Sequence, residues 1–187
     1  MRIALLGGSF DPLHFGHLLL GAELRWRYEP DALWILPVAR HAFAKPLSDF
    51  ADRLEMARIG ARLLGPGAEA LALEQDLVTA GGDGTTVSLL RHLTALRPDV
   101  RFELALGADA WAQRLAWREF ESVATLAEVR VFNRAGVLPV DGGGPALPDI
   151  SSSTIRARVQ AQESIADLVP AEIARYIHAR GLYRQAG

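Results

Sequence analysis

The feature that most constrains the fold is a glycine-rich turn between an apolar strand and an apolar helix. Residues 3–6 form a short apolar run, Gly7 and Gly8 follow it, and residues 18–24 carry a second apolar stretch at helical spacing. Two glycines after a strand let the backbone approach a bulky anion, because no Cβ stands in the way. The helix start that follows offers unpaired N–H groups and the positive end of the helix dipole. The segment therefore predicts a site for a nucleotide phosphate.

Two histidines lie inside this segment, and their spacing suggests that both act on the same ligand. His14 and His17 are three residues apart, so at a helix start they fall on one face, and Gly16 between them keeps that face open. The same spacing is compatible with zinc, but a zinc site needs a third and a fourth ligand. The chain has no cysteine, and only Asp11 is nearby. We therefore expect two imidazoles that serve a phosphate, and no protein-bound metal.

Residues 7–17, GGSFDPLHFGH, match without a gap the signature GGxFDPxHxGH, and the segment resembles the nucleotidyltransferase superfamily. The resemblance implies a site that aligns two phosphates and stabilises the charge developing at the α-phosphorus of ATP or CTP, without a protein nucleophile. The residues it implies for ATP binding are Gly7, Gly8, Ser9, Phe10 and Gly16, and those it implies for catalysis are His14 and His17.

A second segment, residues 150–156 with the sequence ISSSTIR, resembles the ISSTxIR signature of the same superfamily, which contacts the triphosphate. Hydroxyl groups at a helix start either cap the helix or donate to phosphate oxygens. Arg156 follows in the first turns, where an arginine can make a forked contact with a phosphate. The resemblance implies that Ser152 and Ser153 bind ATP. Ser153 stands where the family usually has threonine, which keeps the hydroxyl.

The basic residues add one more candidate. Of the 20 lysines and arginines, only Lys45 is a lysine, which favours a need for a compact ammonium group at this position; the alternative is a chance surface lysine. The family usually carries Pro-Pro-His-Lys here, whereas this chain reads RHAFAKP over residues 40–46, with the histidine and lysine at altered spacing. We expect Lys45 and Arg156 to neutralise phosphates.

The middle of the chain resembles the bacterial nicotinate-mononucleotide adenylyltransferases in several short elements. Gly107-Ala108-Asp109 matches their GxD element, which lies near the adenosine half of the nucleotide; Asp109 is equally suited to be a helix N-cap. Arg134 matches the position of a family arginine and is assigned to the acceptor site. The end of the chain, residues 168–183, also resembles the ending of that family, so the resemblance spans essentially the whole chain.

Further elements of the same family concern the acceptor. Thr85 and Thr86 follow a glycine turn and resemble a segment that cradles the pyridine carboxylate, which backbone N–H groups at a helix start would bind. Trp117 resembles the tryptophan of the family pattern W-x-x-x-E-x-L, and its indole would stack on the pyridine ring, a role for which Trp111 competes.

Short apolar runs alternate with helical patterns along the chain, which predicts a parallel sheet covered on both faces. We expect strands at residues 2–6, 32–37, 70–74, 102–106 and 128–132, and helices at 18–28, 53–64, 87–96 and 170–180. Ser48 or Asp49 suits the N-cap of the second helix, Pro170 the first turn of the last helix, and Gly181 its C-terminal cap. The glycine-rich residues 141–145 are a candidate active-site flap. The predicted fold class is α/β: one Rossmann-like, doubly wound domain over residues 1–187, with a short C-terminal helical tail over residues 150–187.

The composition of the chain argues against some classes of function. A net charge of −2 argues against a general nucleic-acid surface, and no apolar stretch approaches the ~20 residues of a membrane span. The absence of cysteine and of a signal-peptide pattern fits a cytoplasmic protein. The sequence is also compatible with a homo-oligomer.

The resemblance implies an adenylyltransferase of NAD biosynthesis. With Mg²⁺ it would transfer AMP from ATP to nicotinate mononucleotide, giving deamido-NAD and pyrophosphate. The alternatives are nicotinamide mononucleotide or another phosphorylated acceptor, and a non-catalytic nucleotide sensor on the same fold.

Overall fold

The computed structural model describes residues 1–40 and 46–184, which form a three-layer α/β domain around one parallel sheet. The strands are β1 Arg2–Gly8, β2 Ala32–Pro37, β3 Ala68–Ala70, β4 Arg101–Gly107 and β5 Glu128–Phe132. The helices are α1 Phe15–Tyr28, α2 Phe50–Leu64, α3 Leu73–Thr79, α4 Thr86–Leu96, α5 Ala108–Ala112, α6 Phe120–Leu126, α7 Ser152–Gln160 and α8 Ala171–Arg180. A 3₁₀ turn covers Arg114–Ala116. No helix within the described ranges is long and apolar enough to cross a membrane.

The strand order is β3-β2-β1-β4-β5, and all neighbouring strands are parallel. The order therefore runs in opposite directions on the two sides of β1. In open sheets of this kind, the crevice between the two central strands at such a reversal is where ligands bind. The predicted doubly wound fold class is confirmed.

Strand β1 lies at the centre because its residues are apolar on both faces. Ala4 and Leu6 belong to a core formed with α1, α2 and α8, whereas Ile3 and Leu5 belong to a second core formed with α4 and α6. Side chains alternate between the faces of a strand, so a continuous apolar run is suited to a sheet with helices on both sides.

One predicted strand is wrong. Residues 70–74 were expected to be extended, but β3 ends at Ala70 and α3 begins at Leu73. Leu73 and Leu77, four residues apart, both pack against the second core, as a helix face requires. A short apolar run is compatible with the two-residue period of a strand and with the 3.6-residue period of a helix, and here tertiary packing selects the helix.

The helix ends largely follow the predicted caps. Asp49 is the N-cap of α2, and Gly181 ends α8 in the left-handed conformation with φ +62°. Pro170 is the N-cap of α8, one residue before the predicted first turn. Helix α1 begins at Phe15, three residues earlier than the apolar pattern suggests.

The glycine-rich segment 141–145 is anchored against α1. The Asn133 side chain donates to the carbonyls of Val140 and Gly144, and its Oδ1 accepts the Val140 amide at 2.7 Å. Arg27 of α1 donates to the Gly142 carbonyl at 2.8 Å. These bonds hold the segment on α1 and on Asn133, which follows β5, and none of its residues lines the cleft, so the expected active-site flap is not seen.

Candidate active site

A cleft of about 520 Å³ opens at the carboxyl ends of β1 and β4. The predicted site residues that line it are Gly7, Gly8, Ser9, Phe10, His14, Gly16, His17, Thr86, Gly107, Asp109, Trp117, Arg134, Ser152, Ser153 and Arg156. Thr85 is not among the lining residues. Lys45 falls outside the described residues. The cleft therefore gathers segments that are more than a hundred positions apart in the chain.

The glycine-rich turn forms one wall of the cleft. A Cβ placed on Gly7 would meet no atom within 4 Å, so the cleft is open directly above its backbone. A Cβ on Gly8 would lie 3.0 Å from the ring of Phe10, which is itself fully buried. The Phe10 ring packs edge-on against His17, with 4.9 Å between the ring centroids. Phe10 thus supports His17 from below, while Gly7 leaves room for a ligand.

The two histidines are brought together as their spacing predicts. Their rings stack with 3.8 Å between centroids and 26° between planes, and the His14 amide donates to His17 Nδ1 at 3.3 Å. A Cβ on Gly16 would lie 3.0 Å from His14 Nδ1, so glycine is needed for this close approach. His14 is the N-cap of α1, which sets both rings at the positive end of the helix.

Both imidazoles are neutral at pH 7. Burial lowers the pKa of His14 to about 2, with further contributions from His17 and Arg134. Burial, with the nearby charge of Arg134, lowers the pKa of His17 to about 3. Because His17 Nδ1 accepts a hydrogen bond, the proton of the neutral ring is assigned to Nε2, which can donate to a ligand.

The second signature docks directly onto the first. Ser151 is the N-cap of α7, and its hydroxyl accepts the Thr154 amide at 3.1 Å. The Ser152 hydroxyl donates to the carbonyl of Pro12 at 3.0 Å, and Arg156 Nη1 donates to the carbonyl of Asp11 at 2.7 Å. The starts of α1 and α7 therefore meet at one point, each with the positive end of its dipole towards the cleft.

Arg134 joins the end of β5 to the end of β4. Its guanidinium donates to Asp109 at 2.8 Å, to Asp149 at 2.9 Å and to the carbonyl of Ile150 at 2.8 Å. Gly107 is the N-cap of α5, so Asp109 is not a cap but the partner of this arginine. Sequence reasoning assigned Arg134 to the acceptor, whereas its contacts are with Asp109 and with the segment that leads into α7.

The other end of the cleft is formed by the start of α4 and by Trp117. Thr85 caps α4: its hydroxyl accepts the Ser88 amide at 3.3 Å and donates to Asp83 at 2.7 Å. Asp83 also pairs with Arg118 at 3.0 Å, which ties the turn before α4 to the segment that carries Trp117. These hydrogen bonds lower the pKa of Asp83 to about 2, so that it is ionised.

Of the two competing tryptophans, Trp117 has the better position. It lines the cleft and contacts Phe120 edge-on, with 6.0 Å between centroids. The ring of Trp111 is covered by the Arg114 guanidinium, 4.3 Å from the ring centroid.

Sequence reasoning missed a buried polar group beneath the cleft. Arg53 of α2 is only 2% exposed and donates to the carbonyls of Ser48, Ser9 and Val38 at 2.9, 3.1 and 2.8 Å. It thereby joins the loops that follow β1 and β2. Its position on the apolar face of α2, beside Met56 in the helical period, is the signal that could have found it.

Glu74 was missed as well. It is buried, lines the cleft and accepts the Ala39 amide at 3.2 Å. Burial raises its pKa to about 7. Within residues 1–40 and 46–184, no group of three or more histidine, aspartate or glutamate side chains is arranged to hold a metal ion.

Comparison with known proteins agrees with this architecture. The cytidylyltransferase-like family model matches residues 5–158. A chain of Anaeromyxobacter sp. (strain K), named probable nicotinate-nucleotide adenylyltransferase, is 43% identical over 183 residues, which cover 98% of this chain and 97% of the relative. A chain of the same name from Myxococcus xanthus is 33% identical over 183 residues, covering 98% of this chain and 95% of the relative.

A solved structure of Plasmodium falciparum nicotinic acid mononucleotide adenylyltransferase, complexed with NaAD, shares the fold with a TM-score of 0.81. The match covers 97% of each chain at 20% sequence identity. Fold and site together define a nucleotidyltransferase. The chain belongs to the cytidylyltransferase-like family and, within it, to the nicotinate-nucleotide adenylyltransferases.

Proposed function

We propose that this protein transfers AMP from ATP to nicotinate mononucleotide and releases deamido-NAD and pyrophosphate. A phosphate oxygen of the mononucleotide attacks the α-phosphorus of ATP, and the bond between that phosphorus and the oxygen bridging to the β-phosphate breaks. Pyrophosphate leaves with the bonding electrons, and no covalent enzyme intermediate forms. The observation that carries the proposal is the docking of the two signatures, with Arg156 on the Asp11 carbonyl beside the stacked histidines.

His17 is proposed to stabilise the charge that develops on the α-phosphate. Its neutral ring can donate from Nε2, since Nδ1 is occupied by the His14 amide. A donor that is already oriented by buried contacts needs no reorganisation when the charge appears, which is the main source of electrostatic catalysis. His14 stacks on it and is proposed to act beside it on the same phosphate.

The triphosphate is proposed to lie over the starts of α1 and α7. Two helix dipoles point their positive ends at this region, and Arg156 adds a full charge with a forked donor geometry. The Ser153 hydroxyl is exposed at the start of α7, where a phosphate oxygen can reach it. Gly7, Gly8, Ser9 and Gly16 are proposed to supply close backbone approach, Gly107 and Asp109 to bind the adenosine half, and Lys45 to neutralise a phosphate.

Mg²⁺ is proposed to enter with ATP. The acidic residues of the cleft lining are Asp11, Glu74 and Asp109, and each already accepts a hydrogen bond from a protein donor. This donor set does not form a cage, but Mg²⁺ in nucleotide sites is usually held by phosphate oxygens and waters with one or two carboxylates. Asp109, whose side chain is 44% exposed, is the carboxylate that fits such a role. When bound, the ion would neutralise charge on the phosphates.

The acceptor is proposed to bind between the start of α4 and Trp117. Thr86 lines the cleft at the first position of α4, where backbone amides favour an anion such as the pyridine carboxylate. The Trp117 indole lines the same end and offers a face for the pyridine ring. Ionised Asp83 lies at the same helix start and weakens the attraction for a second carboxylate.

The direct test is an acceptor panel with ATP and Mg²⁺, read by pyrophosphate release and by mass spectrometry of the product. The panel contains nicotinate mononucleotide, nicotinamide mononucleotide, a phosphorylated compound without a pyridine ring, and no acceptor. We expect stoichiometric pyrophosphate and deamido-NAD with the first. ATP binding without pyrophosphate release from any acceptor would identify a sensor, and release only with the non-pyridine acceptor would overturn the proposed substrate.

A further inference from the structure

The last described residues of the chain return to the catalytic end of the molecule. After α8, Gly181 reverses the backbone and the Leu182 amide donates to the carbonyl of Ile177 at 3.0 Å. This turn directs Tyr183 beneath the glycine-rich loop, where its hydroxyl donates to Asp11 Oδ1 at 2.7 Å. The two residues are 172 positions apart in the chain. The C-terminal segment is therefore in direct contact with the first signature.

Asp11 connects this tyrosine to the phosphate site. It is only 3% exposed, and its second carboxylate oxygen accepts the Ser48 amide at 3.1 Å. Its backbone carbonyl accepts Arg156 Nη1 at 2.7 Å. The side chain of Asp11 thus fixes the peptide unit whose carbonyl orients the arginine.

We propose that Tyr183 is a positioning residue for ATP: it holds the Asp11 carboxylate and, through the Asp11 carbonyl, fixes the Arg156 guanidinium in its phosphate-binding orientation. The inference rests on the proposed function, because it takes the ligand of Arg156 to be the triphosphate of ATP. Tyr183 itself touches no substrate in this account.

The bond has the strength that such a role requires. A hydroxyl that donates to a carboxylate makes a charge-assisted hydrogen bond, roughly twice as strong as a neutral one. Burial and the charge of Asp11 raise the pKa of Tyr183 well above its usual value, so the hydroxyl keeps its proton. Removal of this donor leaves a buried carboxylate oxygen without its partner, and the loop relaxes to find another. Small displacements of a phosphate-binding group are costly to catalysis.

The chain contains a matched control for this bond. Tyr176 of α8 donates to Asp52 Oδ1, also at 2.7 Å, and the same carboxylate oxygen accepts Arg180 Nε at 3.0 Å. This second pair ties α8 to α2, and neither Tyr176 nor Asp52 is a lining residue of the cleft. Tyr176→Phe and Tyr183→Phe therefore remove the same chemical group from the same kind of partner at two different distances from the site.

The experiment compares the two variants with wild type in three measurements. Urea unfolding gives stability, equilibrium binding of a non-hydrolysable ATP analogue gives nucleotide affinity, and steady-state kinetics separate kcat from the KM of each substrate. For Tyr183→Phe we expect kcat/KM for ATP and affinity for the analogue to fall by about five- to twenty-fold, because only part of the energy of the lost charge-assisted hydrogen bond reaches the nucleotide through Arg156. The KM for the acceptor should stay within about two-fold of wild type, as should all kinetic constants of Tyr176→Phe.

A double-mutant cycle with Arg156→Lys tests whether Tyr183 affects ATP binding through Arg156. If Tyr183 acts through Arg156, the double variant should lose far less ATP affinity than the product of the two single losses. Equal kinetic effects of the two tyrosine variants, or losses that multiply, would overturn the inference. Binding of the ATP analogue requires no acceptor, so a wild-type protein that binds it but releases no pyrophosphate refutes the proposed function and leaves this comparison intact.

Discussion

The two ends of the cleft are built in different ways. The proposed phosphate side, residues 7–17 and 150–156, is held by buried and half-buried groups: the stacked histidines, Phe10 beneath them, and Arg156 on the Asp11 carbonyl. The proposed acceptor side, residues 83–88 and 117–119, is held by exposed ion pairs, Arg118 with Asp83 at 3.0 Å and Arg91 with Glu119 at 2.5 Å. In the proposed function, the chemistry common to all acceptors therefore depends on buried and half-buried groups, whereas the choice of acceptor depends on a region held by exposed ones.

This difference has an energetic consequence. Exposed ion pairs contribute about 0–1 kcal/mol each and are screened by salt, whereas a buried polar group that loses its partner costs about 1–3 kcal/mol. Substitutions on the phosphate side should therefore affect catalysis strongly, and those on the acceptor side should shift selectivity by small factors.

The largest effect is expected for His17→Ala. The variant loses the Nε2 donor that is proposed to stabilise the transition state, and kcat should fall by about 10²-fold or more. His92→Ala, at an exposed position of α4, is the control and should keep wild-type kcat. If His17→Ala is folded by circular dichroism and retains near-normal kcat, His17 does not stabilise the transition state, and the proposed importance of the phosphate side for catalysis is refuted.

The next effect concerns Arg156→Lys. An ammonium group cannot reproduce a forked contact, so the KM for ATP should rise about tenfold while that for the acceptor stays nearly constant. Arg158→Lys on the same helix, whose arginine pairs with Asp167 on the surface, is the matched control. Equal losses for both substrates would mean that Arg156 does not serve the triphosphate.

Buried neutral histidines also predict how stability depends on pH. Because the folded-state pKa of His17 is lowered to about 3, only the unfolded chain binds a proton between there and its usual value near 6.5. The free energy of unfolding must then fall as the pH falls through this window. Glu74 acts in the opposite direction, because its pKa is raised to about 7 and the folded state holds the extra proton.

The comparison is therefore made between wild type and His17→Gln. Urea unfolding at pH 7.5 and 5.5 should show that wild type loses about 1 kcal/mol more than the variant over this interval. Parallel pH dependences would mean that folding does not lower the pKa of His17.

The smallest effect is expected on the acceptor side. Asp83→Asn keeps an oxygen that can accept the Thr85 amide but removes a negative charge from the start of α4. The preference for an acidic over an amide acceptor should rise by about two- to threefold, and less at high salt. Asp99→Asn, exposed in the turn before β4, should leave the ratio unchanged. A fall in the ratio for Asp83→Asn would show that Asp83 helps to bind the acceptor.

Sequence reasoning succeeded where structure depends on neighbouring residues. The glycine turn and the paired histidines follow from local spacing, and the parallel sheet follows from the alternation of apolar runs. It failed at residues 70–74, where the apolar pattern fits the period of a strand as well as that of a helix, and packing against the second core selects α3.

Contacts between distant segments were also beyond its reach. Arg53 reaches Ser9 across 44 positions, and Tyr183 reaches Asp11 across 172. Asn133 anchors a glycine-rich segment that composition alone suggests is a flap. Such bonds depend on which elements pack together, and this is decided by the sheet order rather than by any local pattern.

The central claim is that this protein transfers AMP from ATP to a mononucleotide that carries a carboxylate, with release of pyrophosphate. Its most direct test is the ratio of kcat/KM for nicotinate mononucleotide to that for nicotinamide mononucleotide, measured by pyrophosphate release at saturating ATP and Mg²⁺. The amide loses the charge–dipole attraction and sets an NH₂ group against backbone donors at the start of α4, so the acid should be preferred by roughly tenfold to several-hundredfold. Equal specificity constants, or a preference for the amide, would contradict the claim.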